Sequence, residues 1–138
     1  MLVEIQVNKT KQEVYAMDEN YNVIATFPCS TDFYPGYNEY GQPYCNAEDG
    51  TYENIYIEAK GPEADEPPYG WAYIDLGDGR GHALHGGGSI LDDPFAAVQE
   101  ELVPTQGCFR MYNIDVYWLA QQAMASNYNV VITVVSEE

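Results

Sequence analysis

A chain of 138 residues is long enough to bury one hydrophobic core and too short for two ordinary domains, so residues 1–138 are read as a single unit. Apolar residues make up 46% of it, yet no stretch nears the roughly 18 consecutive apolar residues of a membrane span, which excludes a transmembrane helix. Five basic against 22 acidic side chains leave a net charge of −17, which repels a phosphate backbone and argues against a nucleic-acid partner.

The first residues, Met1 to Val7, lack the basic start, apolar run and small-residue cleavage site of a secretory leader; either the protein stays inside or a leader was removed. Val3, Ile5 and Val7 alternate with Glu4, Gln6 and Asn8, the period of a strand with one buried face. Gln12–Met17 reads as a second strand, Asp18-Glu19-Asn20 as a turn and Tyr21–Phe27 as a third strand, so the chain opens as an antiparallel meander. Pro35, Gly36, Gly41, Pro43 and Gly50 mark residues 31–50 as a long irregular segment, of the kind that serves a site. Thr51–Glu58 resumes alternation as one strand, with Tyr52, Tyr56 and Glu58 on one side and Thr51, Ile55 and Ile57 on the other. The acidic stretch 61–68 is a loop, its Glu63, Asp65 and Glu66 a solvated surface. Trp71–Leu76 and Gly81–His85 are short strands separated by the turn Gly77-Asp78-Gly79.

After Asp92-Asp93-Pro94, the run Phe95–Leu102 has acidic residues and a proline at its start and predicts a short helix. A longer helix is predicted over Ile114–Ser126, with Asn113 as N-cap and Val116, Leu119, Ala120, Ala123 and Met124 on one face. Asn127 ends it, and Val130–Val135 is a closing strand whose nearly continuous apolar pattern suits a central position. The fold class is mostly β with one or two helices.

Three cysteines leave at least one thiol unpaired within the chain. Cys29 and Cys45 are candidates for a disulfide in an oxidising compartment, although a small buried Cys29 and a loop thiol at Cys45 is the favoured reading. Cys108 stands apart, in Thr105-Gln106-Gly107-Cys108-Phe109-Arg110-Met111. A nucleophilic cysteine acts as thiolate, which a neighbouring cation or helix N-terminus favours; Arg110 supplies the cation and the 114–126 helix begins nearby. Gly107 allows close backbone approach, and adjacent N–H groups offer an oxyanion hole. An inert buried thiol calls for neither neighbour.

Such a nucleophile needs a base that titrates near neutrality, and the chain offers His82 and His85. His85 is preferred, because the open loop Gly86-Gly87-Gly88-Ser89 that follows it admits an extended peptide. Three apart on a strand, the two histidines point to opposite faces, so one of them faces the site. A zinc site from His82, His85 and Cys108 is the competing reading; the same geometry counts against it, as does the lack of CxxC and HExxH motifs, so no metal and no cofactor is expected. No carboxylate pair stands out among the acids.

Residues 2–135 resemble an L,D-transpeptidase catalytic domain of the YkuD type. Leu84-His85-Gly86 is similar to the family's histidine-glycine element, and Thr105–Arg110 to its Ser/Thr-His-Gly-Cys-hydrophobic-Arg/Asn signature. Phe27–Thr31, Asp49-Gly50-Thr51-Tyr52 and Met111-Tyr112-Asn113 fall in the family's order. The interval between His85 and Cys108 is longer than usual, the excess lying in the 93–102 stretch.

The resemblance implies a β-sandwich enzyme of bacterial cell-wall biogenesis and cell shape, acting on peptidoglycan stem peptides. Cys108 is then the nucleophile that forms a thioester, and His85 the base and then acid, its ring oriented by the Gly86 carbonyl. Arg110 organises the pocket or the substrate carboxylate, and Thr105, Gln106 and Gly107 line the pocket and oxyanion hole. Carbapenem-type β-lactams are the expected inhibitors. A cell-envelope or secreted location is expected, with the leader absent from this chain. Gln106 departs from the family's second histidine; it donates a hydrogen bond but carries no charge, which is expected to leave the Cys108 pKa higher than in relatives. L,D-carboxypeptidase activity, or a weakly active or inactive relative that binds peptidoglycan through its tyrosines, are the alternatives.

Overall fold

The computed structural model describes residues 1–29, 48–61, 71–79, 82–86 and 109–136. Strands β1 (Leu2–Asn8), β2 (Glu13–Asp18) and β3 (Val23–Pro28) form the expected antiparallel meander. Side chains close both turns. Asn8 Oδ1 accepts the Lys11 N–H at 3.0 Å, and Asp18 Oδ1 accepts those of Asn20 and Asn22 at 2.9 and 3.0 Å. Acceptance from Asn22 above all holds the Asp18 carboxyl below its ordinary pKa.

The apolar closing segment forms β9 (Val131–Val135), which runs parallel to β1 and antiparallel to β4 (Gly50–Tyr52). The first sheet therefore has the order β3-β2-β1-β9-β4, with β9 internal as its composition requires. A second sheet has the order β5-β6-β7-β8, from Tyr56–Ala59, Ala72–Asp75, Ala83–His85 and Phe109–Arg110.

The single strand expected over Thr51–Glu58 is in fact two, β4 in the first sheet and β5 in the second, with Glu53-Asn54-Ile55 crossing between them. Long-range packing fixes that break. Gly77, just past β6, has φ +72°, and a Cβ there would collide with the Asn54 carbonyl oxygen. The crossing segment is thus seated on the β6–β7 hairpin at the one residue type that lets it in.

The described residues hold one helix, α1 (Asn113–Ala125). Val116, Leu119, Ala120 and Ala123 are buried as its spacing predicts, while Met124 is 42% exposed and lies off that face. Asn113 is not the N-cap. Tyr112 holds that position without a side-chain cap bond, and Asn113 is fully buried in the first turn, its Oδ1 accepting the Trp71 N–H at 3.4 Å. Its polarity serves a tertiary contact at the start of β6 instead of the helix end.

At the other end, Asn127 (φ +57°) donates to the Met124 carbonyl and Tyr128 to the Ala123 carbonyl, each at 3.0 Å. This pair of reversed bonds satisfies the last helical carbonyls and stops the helix where the sequence places its end. Ser126 Oγ donates to the Leu2 carbonyl at 2.8 Å, tying the helix end to β1.

The helix bridges both sheets. It packs on β5, β6, β7 and β1; Trp118 meets Phe27 of β3 at 5.6 Å between ring centroids, and Tyr117 meets Trp71 edge-on at 5.9 Å. One core joins Ile5, Val14 and Ile132 of the first sheet, Ile74 and Leu84 of the second and Leu119 of the helix. Truncating a wholly buried leucine such as Leu84 costs about 2–5 kcal/mol, so the hairpin that carries His85 is among the best-anchored parts of the fold. The fold is a mostly β two-sheet sandwich, as expected. The predicted helix 95–102 and most of the irregular segment 31–50 lie outside the described residues.

Candidate active site

The β6–β7 hairpin sets Tyr73 opposite His85, Ile74 opposite Leu84 and Asp75 opposite Ala83. Neighbouring pairs extend the row, with Glu58 of β5 opposite Tyr73 and Arg110 of β8 opposite His85. Directly opposed residues share one face of a sheet. Glu58, Tyr73, His85 and Arg110 therefore form one line across four strands, while Ile57, Ile74, Leu84 and Phe109 turn into the core.

His85 is 6% exposed, and its Nδ1 lies 2.5 Å from the Gly86 carbonyl oxygen. A carbonyl only accepts, so Nδ1 carries the proton, and in the neutral ring Nε2 holds the basic lone pair. The strand is locked on both sides of the ring: the Gly86 N–H donates to the Ala72 carbonyl at 3.3 Å, and the Met111 N–H to the His85 carbonyl at 2.8 Å. Burial lowers the His85 pKa from its ordinary value of 6.5; the Gly86 bond opposes this and the Arg110 charge reinforces it. The ring is thus neutral at pH 7, the form a general base needs.

His82 lies just before β7, is 2% exposed, and has its Nδ1 2.5 Å from Asp78 Oδ2. Its backbone carbonyl accepts the Leu76 N–H at 3.0 Å, so the pair fastens the hairpin loop. The two histidines have separate partners, as residues three apart on an extended chain do. Among the described residues no group of three or more His, Cys, Asp or Glu side chains is arranged to hold a metal.

On the strand paired with that of His85, Tyr73 turns toward β5: its hydroxyl donates to the Glu58 carboxylate, and its ring lies 6.0 Å from that of Tyr56. Burial first and the Glu58 contact second push the Tyr73 pKa up to about 12, so its phenol stays protonated. Thr105, Gln106, Gly107 and Cys108 lie outside the described residues, as does Cys45; of the expected site, the structure brings His85, Gly86 and Arg110 together. Cys29 is a buried free thiol after β3 whose pKa burial raises to about 12, the inert cysteine its position suggested.

Neither the Tyr73–Glu58 pair nor the Asp78–His82 contact is among the features expected from the sequence. The signal for the first was present: Gly79, the hairpin glycine, stands midway between Tyr73 and His85 in the chain.

The sequence matches the YkuD family, the L,D-transpeptidase catalytic domain, over residues 3–132, and the chain belongs to that family of peptidoglycan-active, L,D-transpeptidase-type enzymes. Comparison with the curated proteins returned no match. No helix among the described residues is long and apolar enough to cross a membrane.

Proposed function

We propose that the protein is an L,D-transpeptidase that moves the acyl group of a peptidoglycan stem peptide through a thioester on Cys108, in the cell envelope. The observation that carries this is His85: buried, neutral, and held by Gly86 so that Nε2 is the basic nitrogen. Arg110, two residues after Cys108 in the sequence, stands beside it.

In the first step His85 Nε2 takes the thiol proton, the sulfur attacks the carbonyl between the L- and D-configured centres, and the C–N bond breaks as His85 returns the proton to the departing amine. In the second step an amine or water attacks the thioester, its proton passes to His85, and the C–S bond breaks. Arg110 offers its charge to the carboxylate of the departing D-residue. Thr105, Gln106 and Gly107 complete the pocket in this reading, and carbapenems acylate Cys108.

The test is incubation with a disaccharide tetrapeptide and mass spectrometry of the products. A cross-linked or exchanged product supports transfer, and a trimmed tripeptide alone supports L,D-carboxypeptidase action. No acyl-enzyme with stem peptide or carbapenem, or full turnover by Cys108→Ala, would sink the cysteine mechanism.

A further inference from the structure

The tetrapeptide Asn20-Tyr21-Asn22-Val23 recurs as Asn127-Tyr128-Asn129-Val130. Both copies lie in turns, and in both the tyrosine has φ +62°, in the left-handed region that glycine and asparagine enter at little cost and a bulky side chain does not. Neither ring offsets that cost by packing, since Tyr21 is 74% exposed and Tyr128 51% exposed. The backbone of each turn closes on itself: the Tyr21 N–H donates to the Asp18 carbonyl and the Tyr128 N–H to that of Ala123, each at 3.0 Å. Asparagine at either position would make the same turn.

Sheet register brings the two turns to one end of the molecule. Val23, Met17, Glu4 and Val131 lie opposite one another in a row across β3, β2, β1 and β9, and β3 and β9 both run in the direction of β1, so each is entered from the same end. Tyr21 stands just before β3 and Tyr128 just before β9, on backbones three strand spacings, about 14 Å, apart. Asn20, Asn22, Asn127 and Asn129 flank the rings and are exposed. His85 is elsewhere: its carbonyl accepts from Met111, just before α1, whereas Tyr128 follows the far end of that helix, about 20 Å along its axis.

We propose that the twin Asn-Tyr-Asn turns form a binding site for an uncharged stretch of N-acetylhexosamine glycan, the sugar backbone of peptidoglycan, apart from the residues around His85. An exposed phenol ring packs against the C–H face of a pyranose, and a carboxamide presents both donor and acceptor to hydroxyl and acetamido groups. Exposed Val23 and Ile24 lie beside Tyr21 alone, whereas Val130 beside Tyr128 is buried, so what the two turns share is ring and carboxamide. Two rings set apart, each between carboxamides, fit a chain of repeated sugars better than the continuous apolar core that a protein partner buries. The net charge of −17 turns away anionic polymers and leaves the attraction of neutral sugars intact. The site rests on the peptidoglycan substrate class of the family and not on the cysteine chemistry. It holds the sugar backbone, while the stem peptide is the part that reaches His85.

The experiment titrates the protein with chitohexaose, an uncharged N-acetylglucosamine oligomer without peptide, and follows binding by NMR in wild type, Tyr21→Asn, Tyr128→Asn and the double variant. Each single replacement is expected to weaken binding about tenfold, the scale of one aromatic contact, and the double to abolish saturation. Because asparagine relieves the left-handed strain, Tm should hold or rise in every variant, the reverse of what a merely structural role for the rings gives. Turnover of a stem tetrapeptide lacking sugar should be unchanged, while KM for intact sacculi rises. Wild type that fails to saturate, or a double variant that binds as wild type does, overturns the proposal. Weaker binding together with a lower Tm overturns it as well, since the rings then serve the fold. So does a double variant that differs from wild type only in sedimenting as a monomer where wild type is a dimer. Binding of chitohexaose by wild type that forms no acyl-enzyme with stem peptide or carbapenem would overturn the transpeptidase reading and leave the glycan site standing.

Discussion

The Nδ1–H of His85 donates to the carbonyl oxygen of Gly86 at 2.5 Å, and that contact decides which ring nitrogen stays basic. A backbone carbonyl cannot reorient without moving β7, whose flanking bonds to Ala72 and Met111 hold it in place. The tautomer is therefore built into the sheet.

Because burial, aided by Arg110, lowers the His85 pKa, an NMR titration of its ring protons should show a midpoint below 6.5. Arg110→Gln removes a charge that disfavours the imidazolium, so the midpoint should rise. Stability follows the same sign. The unfolded chain takes up this proton near pH 6.5 and the folded chain only at lower pH, so the contribution of His85 is complete above about pH 6.5 and is lost as pH falls through the folded value. His85→Gln should flatten that part of a Tm-against-pH curve; an unaltered curve would contradict the assignment.

Cys29 is buried with its pKa raised to about 12, so alkylation of the native protein at pH 7–8 should leave it untouched. In Cys45→Ser protein, iodoacetamide label found by peptide mapping then reports Cys108 alone. The labelling midpoint is expected above that of relatives carrying a second histidine at the position of Gln106. Full labelling at mildly acidic pH would contradict that expectation.

Asp115 lies in the first turn of α1, where burial pushes its pKa up to about 6 from an ordinary 3.8. Between these values the folded state holds more protons than the unfolded one, so stability from this group falls as pH rises and the penalty is complete above about pH 6. Asp115→Asn should therefore raise Tm at pH 8 more than at pH 4. A larger gain at pH 4 would reverse the argument.

Gly77→Ala forces a Cβ onto the Asn54 carbonyl at a left-handed φ, and should cost about 2–4 kcal/mol, lowering Tm by about 10 °C. Gly79 also has positive φ, +76°, but nothing within 4 Å of a built Cβ, so Gly79→Ala should cost only the backbone strain, about 1 kcal/mol. Equal melting points for the two variants would show that the seat of Asn54 on Gly77 is unimportant.

The sequence announces those parts of the fold that local chemistry dictates. Alternation in Val3–Val7 and the apolar run Val130–Val135 mark strands, and Asn127 marks the helix end, because period and turn chemistry suffice there. Glu53–Ile55 carries no glycine or proline, so a break made by contact with Gly77 leaves no local trace. Asn113 has the composition of a cap and the position of a core residue, a choice settled by Trp71, distant in sequence. At the site, the histidine-glycine element is legible as a motif, whereas Tyr73 and Glu58 join it only through strand register.

The parallel pairing of β1 with β9 has a consequence for how the chain is made. In chain order β2 follows β1 directly, whereas β9, which covers the other edge of β1, comes after every other strand of that sheet. Contacts this distant in sequence slow folding, and an open apolar edge invites pairing with other chains. Closure of the first sheet thus depends on a pairing between its strands that lie furthest apart in the chain, so shielding Leu2–Asn8 should favour correct pairing of β1 with β9.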